Sequence, residues 1–301
     1  ILIIELNTFH HECLLGFSKY FIDLGYNVDI LICLSNIDSF NWVQENKNIR
    51  IFTFTKKSQL YENSKNFSFI IKEYDFIILQ STNKREKKLY DMLNLFNINN
   101  SIFVFHEISF SDISFAKYFN QNRIWTLGNI SLGLQVNPHY FGDIKIREKN
   151  YKTRFFLTSS FKRNYTYLVE SAKKLKEENF KFEIIITGIS YTFNSKNIPK
   201  NLNDIFIFKH RVSFDILCKT VEQSDFIIIP LDPMSKNDNL FRRSRVTGSF
   251  QLVYGFLKPC IINEEFSFFY NFNNENSLIY NNLDLYNAMK KAILLDNKEY
   301  K

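Results

Sequence analysis

The stretch that decides the fold is Asn239–Ile262, "NLFRRSRVTGSFQLVYGFLKPCII". Arg242, Arg243 and Arg245 precede Thr247-Gly248-Ser249, which opens an apolar run closed by Lys258-Pro259. A Thr before an apolar run is an N-cap signature, and a Pro two residues past a helix marks its stop. The pattern predicts a helix between two strands, "DFIIIPL" (225–231) and "KPCIIN" (258–263). A helix mouth offers backbone N–H groups and the positive end of a dipole, so it suits an anion. Gly248 lets backbone approach closely, and the Thr247 and Ser249 hydroxyls add donors. The plainer alternative is a solvated basic loop with Thr247 as an ordinary cap.

Outward from this stretch, the same alternation runs through the chain. Buried-strand patterns lie at 1–6, 27–33, 50–55, 76–81, 101–106 and 123–128, with helices predicted over 11–24 and 83–96. Residues 140–152 turn polar and charged, and then the pattern restarts. Strands are predicted at 153–160, 182–188, 204–210 and 276–281, and helices over 164–178, 213–223 and 283–295. Continuous apolar strands separated by helices argue for parallel sheets covered on both faces. The expectation is two doubly wound α/β domains, 1–150 and 151–301, facing each other across a cleft. In such sheets ligands bind at the carboxyl ends of the strands, so polar residues just after strands are the informative ones.

Composition sets the outer limits. The 301 residues carry 38 Lys+Arg against 31 Asp+Glu, a net charge of +7, which favours an anionic partner. Cys13, Cys33, Cys218 and Cys260 are scattered, with no Cys-x-x-Cys pair, and read as free thiols in a reducing compartment. No apolar run reaches membrane-spanning length, and the expected location is cytoplasmic. The arginines sit at a helix mouth and no aromatic-basic RNA module accompanies them, which argues against a nucleic-acid partner.

The order of elements in the second half, with "FKHRVSFDILCKTVEQSDFIIIPLDP", the Thr-Gly-Ser helix and Lys-Pro-Cys-Ile-Ile, resembles the donor-nucleotide domain of GT-B glycosyltransferases, especially the large retaining family 4. "NTFHHECLLGFSKYFIDLGYNVDIL" is similar to the opening strand, loop and helix of that family's first domain. The resemblance covers almost the whole chain in element order and is loose in residue identity. It implies two Rossmann-like domains and transfer of a sugar from a nucleotide-diphosphate donor to a saccharide or lipid-linked saccharide, in bacterial surface polysaccharide synthesis. Two departures stand out. The family's pair of donor-loop glutamates falls on Ser244 and Leu252, and Leu257 stands where related enzymes carry Gly.

On this resemblance the donor diphosphate is expected to meet Lys162, Arg163, Arg243, Arg245, Thr247, Gly248 and Ser249. Gly188, Ser190, Arg211 and Val212 lie where the family contacts the nucleoside. His106 ends a strand where the family places a donor-sugar histidine, and it is the expected catalytic group together with Glu12. The alternative for His106 is a satisfied core histidine. His11 and Glu107 are expected to line the sugar or acceptor, with an N-capping box as the other reading of His10-His11-Glu12. That loop has no His-Glu-x-x-His pattern, and no Asp-x-Asp stands at a strand end, so a metal-independent reaction without cofactor is expected. Lys84, Arg85, Lys87 and Lys88 form either a solvated face or a docking patch for an anionic membrane, which would hold the enzyme at the inner face. A different class, a non-catalytic two-lobed sugar or sugar-nucleotide binding protein, shares the expected architecture.

Overall fold

The computed structural model describes residues 1–7, 10, 12–35, 37, 47–63, 65, 71–92, 95, 99–106, 114–128, 132–139, 146–158, 163–188, 193–210, 212–243 and 245–300. The chain divides into two compact units, Ile1–Tyr140 with Arg243–Val246, and Phe141–Arg242 with Thr247–Lys301.

The first unit is a parallel sheet of β1 (Leu2–Glu5), β2 (Val28–Cys33), β3 (Ile49–Phe54), β4 (Ile77–Leu79), β5 (Ser101–Phe105), β6 (Ile124–Thr126) and β7 (Leu134–Gln135). Its order is β3-β2-β1-β4-β5-β6-β7, so the strand order reverses between β1 and β4. The short edge strand β7 has too little apolar pattern to be read from sequence. Its helices are α1 (Glu12–Asp23), α2 (Lys57–Glu62) and α3 (Lys87–Met92). The helix expected over 83–96 starts instead as a tighter 3-10 turn, Lys84–Glu86, because the Asn83 side chain accepts from the Arg85 N–H and caps it there. Apolar residues of β1, β4 and β5 fill the core with Tyr90, Phe115 and Phe119. One acidic residue breaks the apolar run of β2. Asp29 is paid for by a bidentate pair with Arg50 on β3 (2.6 and 2.7 Å) and by the Tyr74 hydroxyl (2.6 Å). Burial raises the Asp29 pKa, but those hydrogen bonds outweigh it and hold the carboxyl below its ordinary value.

The second unit is a parallel sheet of β8 (Thr153–Thr158), β9 (Phe182–Thr187), β10 (Phe206–Lys209), β11 (Phe226–Ile229), β12 (Cys260–Asn263) and β13 (Ser277–Tyr280). The order β10-β9-β8-β11-β12-β13 is the doubly wound arrangement, with its reversal between β8 and β11. Helices α4 (Thr166–Glu177), α5 (Phe214–Glu222), α6 (Gly248–Gly255), α7 (Glu264–Ser267), α8 (Leu285–Leu294) and α9 (Asn297–Tyr300) accompany it. Leu168, Ala172 and Leu175 of α4 and Leu285, Met289 and Ala292 of α8 bury their apolar stripes against β8, β9 and β11.

Residues 147–150 are tied to this second unit. Fully buried Asp225 accepts from the Asn150 backbone (3.0 Å), the Asn150 side chain (2.9 Å) and the Arg154 backbone (2.7 Å). The Lys149 ammonium donates to the last carbonyls of α8, at 3.1 Å to Ala292 and 2.6 Å to Ile293. A cation is favourable there because it meets the negative end of the helix dipole.

Three helices end in the same way, with the N–H three residues past the end returning to a carbonyl of the last turn. The left-handed residue is Gly25 after α1 (φ 87°), Asn179 after α4 (φ 63°) and Leu257 after α6 (φ 49°). The closing bonds are Tyr26 N–H to Phe21 O, Phe180 N–H to Leu175 O, and Lys258 N–H to Val253 O. Gly and Asn tolerate this conformation, whereas a leucine there is strained. All four cysteines are free, with Cys13 and Cys260 buried and Cys33 and Cys218 half-buried. Among the described residues, no helix is long and apolar enough to cross a membrane.

Candidate functional site

At the carboxyl edge of the second sheet, the Thr-Gly-Ser turn is the start of α6, as its sequence implied. The Thr247 hydroxyl accepts from the Ser249 N–H (3.4 Å) and caps the helix. The Ser249 hydroxyl lies 3.0 Å from that of Thr158, the last residue of β8, which ties the helix mouth to the strand end. Thr247 and Ser249 are buried, while Gly248 is exposed and a side chain built there would meet open space.

Arg163, after β8, completes this corner. Its Nη2 donates to Thr247 Oγ1 at 3.2 Å, and its guanidinium lies 5.7 Å from the ring centroid of Phe241. Its Nη1 is buried and has no hydrogen-bond partner among the described residues. A network behind it holds the corner. Tyr270 stacks on Phe250 of α6 with ring centroids 3.4 Å apart, and its hydroxyl donates to the Phe241 carbonyl at 2.6 Å. Asp238, also buried, accepts from the Asp232 N–H at 3.0 Å. Burial raises the Asp238 pKa, and that N–H together with the Arg163 charge only partly offsets it.

Two other strand ends leave buried polar atoms without partners among the described residues, Thr187 Oγ1 on β9 and Asn263 Nδ2 on β12. Buried polar groups are nearly always satisfied, so each exception needs a reason. Three of them lie in residues at or just after the carboxyl ends of one parallel sheet, the edge where such sheets bind ligands. The arrangement combines a buried guanidinium donor, hydroxyls and a helix mouth, which is the chemistry of an oxyanion site.

The other basic residues of the opening stretch behave differently. Arg242 forms an ion pair with Glu265 and lies 4.7 Å from the centroid of the Phe266 ring. Arg243 is exposed and Arg245 half-buried, in the segment Arg243–Val246 that groups with the first unit. Gly188 follows β9 in a left-handed conformation (φ 101°), and its carbonyl faces the His210 ring at 3.4 Å. Val212 is half-buried. Leu252, where the family carries a glutamate, is buried apolar packing on α6. Lys162, Ser190, Arg211 and Ser244 lie outside the described residues, as do His11, Glu107 and the Glu12 side chain.

The first unit gathers its own polar cluster beside the β1/β4 reversal. His106, after β5, donates from Nε2 to the Gln80 carbonyl (2.7 Å), because a carbonyl can only accept. The His106 ring lies against His10 at a tilt of 37° with centroids 4.2 Å apart, and His10 holds a left-handed backbone (φ 66°). Gln80 is fully buried and its Oε1 has no partner among the described residues. Glu5, at the end of β1 and also fully buried, accepts from the Ser81 hydroxyl and from the Asn7 N–H (2.7 Å). Sequence reasoning missed Glu5, Gln80, Ser81 and Thr158. The available signal was polar side chains closing apolar strands, in "ILIIEL", "FIILQS" and "TRFFLTSS".

Of the expected membrane patch, Lys84, Arg85 and Lys88 are exposed. Lys87 is paired with Asp91 at 2.6 Å and sits 5.7 Å from the Tyr118 ring centroid.

No protein-family model and no curated protein matches the chain. Solved structures do match along its whole length. A glycosyltransferase from Rickettsia africae aligns with a TM-score of 0.58 at 13% identity, over 100% of this chain and 90% of its own. HepE of Anabaena, in complex with UDP and glucose, aligns with a TM-score of 0.57 at 11% identity, over 99% and 90%. The lipopolysaccharide outer core galactosyltransferase WaaB aligns with a TM-score of 0.53 at 13% identity, over 97% and 89%. At these identities the likeness is one of fold. The two Rossmann-like parallel sheets are the fold of GT-B glycosyltransferases.

Proposed function

We propose that this protein is a glycosyltransferase that binds the diphosphate of a nucleotide-sugar donor at Arg163 and the mouth of α6, and passes the sugar to a saccharide or lipid-linked saccharide. The observation that carries the reading is the buried, unpartnered Arg163 Nη1 beside the Thr247-capped helix start. A guanidinium nitrogen out of water and without an acceptor is costly, and a phosphate oxygen supplies the missing acceptor. The likeness of fold to HepE, solved with UDP and glucose, supports the same assignment.

In the proposed reaction the bond between the anomeric carbon and the donor phosphate oxygen breaks as an acceptor hydroxyl bonds to that carbon. The hydroxyl proton leaves to a base and the charge collects on the departing diphosphate. Arg163, the α6 N–H groups and the Thr247 and Ser249 hydroxyls stabilise that charge, which makes leaving-group stabilisation the main catalytic contribution. Arg243 and Arg245, with Lys162, extend the basic surroundings in this proposal, and Gly188, Arg211 and Val212 face the nucleoside. His106, with Gln80 fixing its ring, and Glu12, His11 and Glu107 serve the sugar and acceptor. We further propose retention of configuration, no metal requirement, and action at the inner face of a membrane through Lys84, Arg85 and Lys88.

Incubation with a panel of UDP-, GDP- and CMP-sugars tests this reading. Slow release of the free nucleotide from one donor is the expected result. Binding of a nucleotide sugar without turnover, with or without saccharide acceptors, would assign the chain to the non-catalytic binding class. If no donor binds and none is turned over, the proposal fails.

A further inference from the structure

The opposite end of the second sheet carries a feature that the donor reading leaves unused. A cavity of about 380 Å³ opens where β11, β12 and β13 begin, at their amino ends. A parallel sheet rises about 3.3 Å per residue, so four-residue strands separate this cavity from the α6 mouth by roughly 10–13 Å. Phe226, Phe272, Leu278 and Leu295 are among the residues that line it. Lys258 lines it as well and is only 5% exposed.

Lys258 is unusual for its type. Lysines are almost never buried unless paired, because they reach water along their flexible stems. Here the ammonium has no hydrogen bond and no ion pair among the described residues, and its nitrogen is not fully enclosed. The nearby acid Asp225 is already occupied by Asn150, Arg154 and Arg147. Glu275 and Glu299, also on the cavity wall, are exposed side chains, as is the second cation, Lys291. Burial pushes the Lys258 pKa down to about 8, the Arg147 charge adds to this, and Asp225 and Glu222 oppose it.

We infer that this cavity is a binding site for a small amphipathic carboxylate, whose anionic head pairs with Lys258 and whose apolar body fills the space between Phe226, Phe272 and Leu278. Its volume is within the range of small-molecule sites, and its make-up, an apolar patch of Phe226, Phe272, Leu278 and Leu295 beside one buried cation with a polar rim of Asn274, Asn276 and Ser277, fits an amphipathic monoanion. The site is distinct from the proposed donor site, so its failure leaves that reading untouched.

The test is calorimetric titration of the full chain with octanoate and with octan-1-ol, its neutral counterpart. The expected result is saturable octanoate binding with the alcohol at least tenfold weaker. Lys258→Met, checked for folding by circular dichroism, is expected to lower octanoate affinity at least tenfold and to remove the difference between the two probes. Leu295→Trp, at a half-buried wall position, keeps the lysine and narrows the cavity, so octanoate binding is expected to be lost. This variant decides the matter if Lys258→Met does not fold. Absence of octanoate binding at millimolar concentration, equal binding of acid and alcohol, or wild-type octanoate affinity in either folded variant would overturn the inference.

Discussion

Arg163 and Thr247, 84 positions apart in the chain, meet at 3.2 Å where β8 ends and α6 begins. The contact uses one guanidinium nitrogen and leaves Nη1 buried without a partner. A hydroxyl is a weak acceptor for a permanent cation. In the proposed donor site the remaining guanidinium donors would meet a stronger acceptor, a phosphate oxygen.

Arg163→Ala is expected to weaken binding of a nucleoside diphosphate by about 10- to 100-fold, the value of one charge-assisted hydrogen bond of about 1.5–3 kcal/mol. Arg163→Lys keeps the charge but loses the fork, so an intermediate affinity is expected. Titration calorimetry with UDP and GDP measures both. Unchanged affinity in Arg163→Ala would remove the arginine from the site.

Gly248→Ala separates folding from binding. The added methyl meets no protein atom within 4 Å, and alanine suits a helix better than glycine. The melting temperature should hold or rise, consistent with a gain of about 0.4–1 kcal/mol. Nucleotide affinity should fall, because the methyl occupies the space through which a phosphate reaches the backbone. Equal affinity for wild type and variant would mean that no ligand approaches this turn.

How far these features were legible in the sequence differs from one to the next. The strands were legible because parallel strands buried on both faces are written as continuous apolar runs, as in "FEIIITG" and "DFIIIPL". The Thr247 cap and the Ser213 cap were legible because short polar side chains before apolar runs have one dominant use. The pairing of Glu5 with Ser81 was not, since it joins strands 76 positions apart and depends on register. In the sequence Lys258 is only part of the Lys-Pro that closes the apolar run. Only the packing of β11 and β13 around it shows that it is buried. The polar run 140–152 was read as the end of the first domain, yet Lys149 and Asn150 bind α8 and Asp225, contacts that polarity alone does not announce.

Leu257→Gly should stabilise the protein. Leu257 is 63% exposed, so truncation loses little buried surface, and its φ of 49° carries the left-handed penalty of about 1–2 kcal/mol. After subtracting the extra chain entropy of glycine, a net gain of about 1 kcal/mol is expected. Urea denaturation would show it as a higher midpoint at constant slope. A lower midpoint would mean that the leucine contributes more packing than its exposure indicates.

Lys258 also predicts a pH dependence. Its folded pKa of about 8 lies below its ordinary value of 10.5, so between these the unfolded chain holds a proton that the folded chain has released. Stability contributed by this residue therefore rises with pH across that window, and the cost is fully present below pH 8. The difference in urea midpoint between wild type and Lys258→Met should move in favour of wild type from pH 7.5 to about 9.5, tyrosine titrations cancelling in the difference. A flat difference would place the ammonium in contact with water.

The most direct measurement is a calorimetric comparison of UDP and GDP with uridine and guanosine on the wild-type chain. If the diphosphate is held by Arg163 and the α6 mouth, one nucleoside diphosphate binds at least about 100-fold more tightly than its nucleoside, the value of two charge-assisted contacts. Equal affinities for diphosphate and nucleoside, or no binding of either, would contradict the account at its centre.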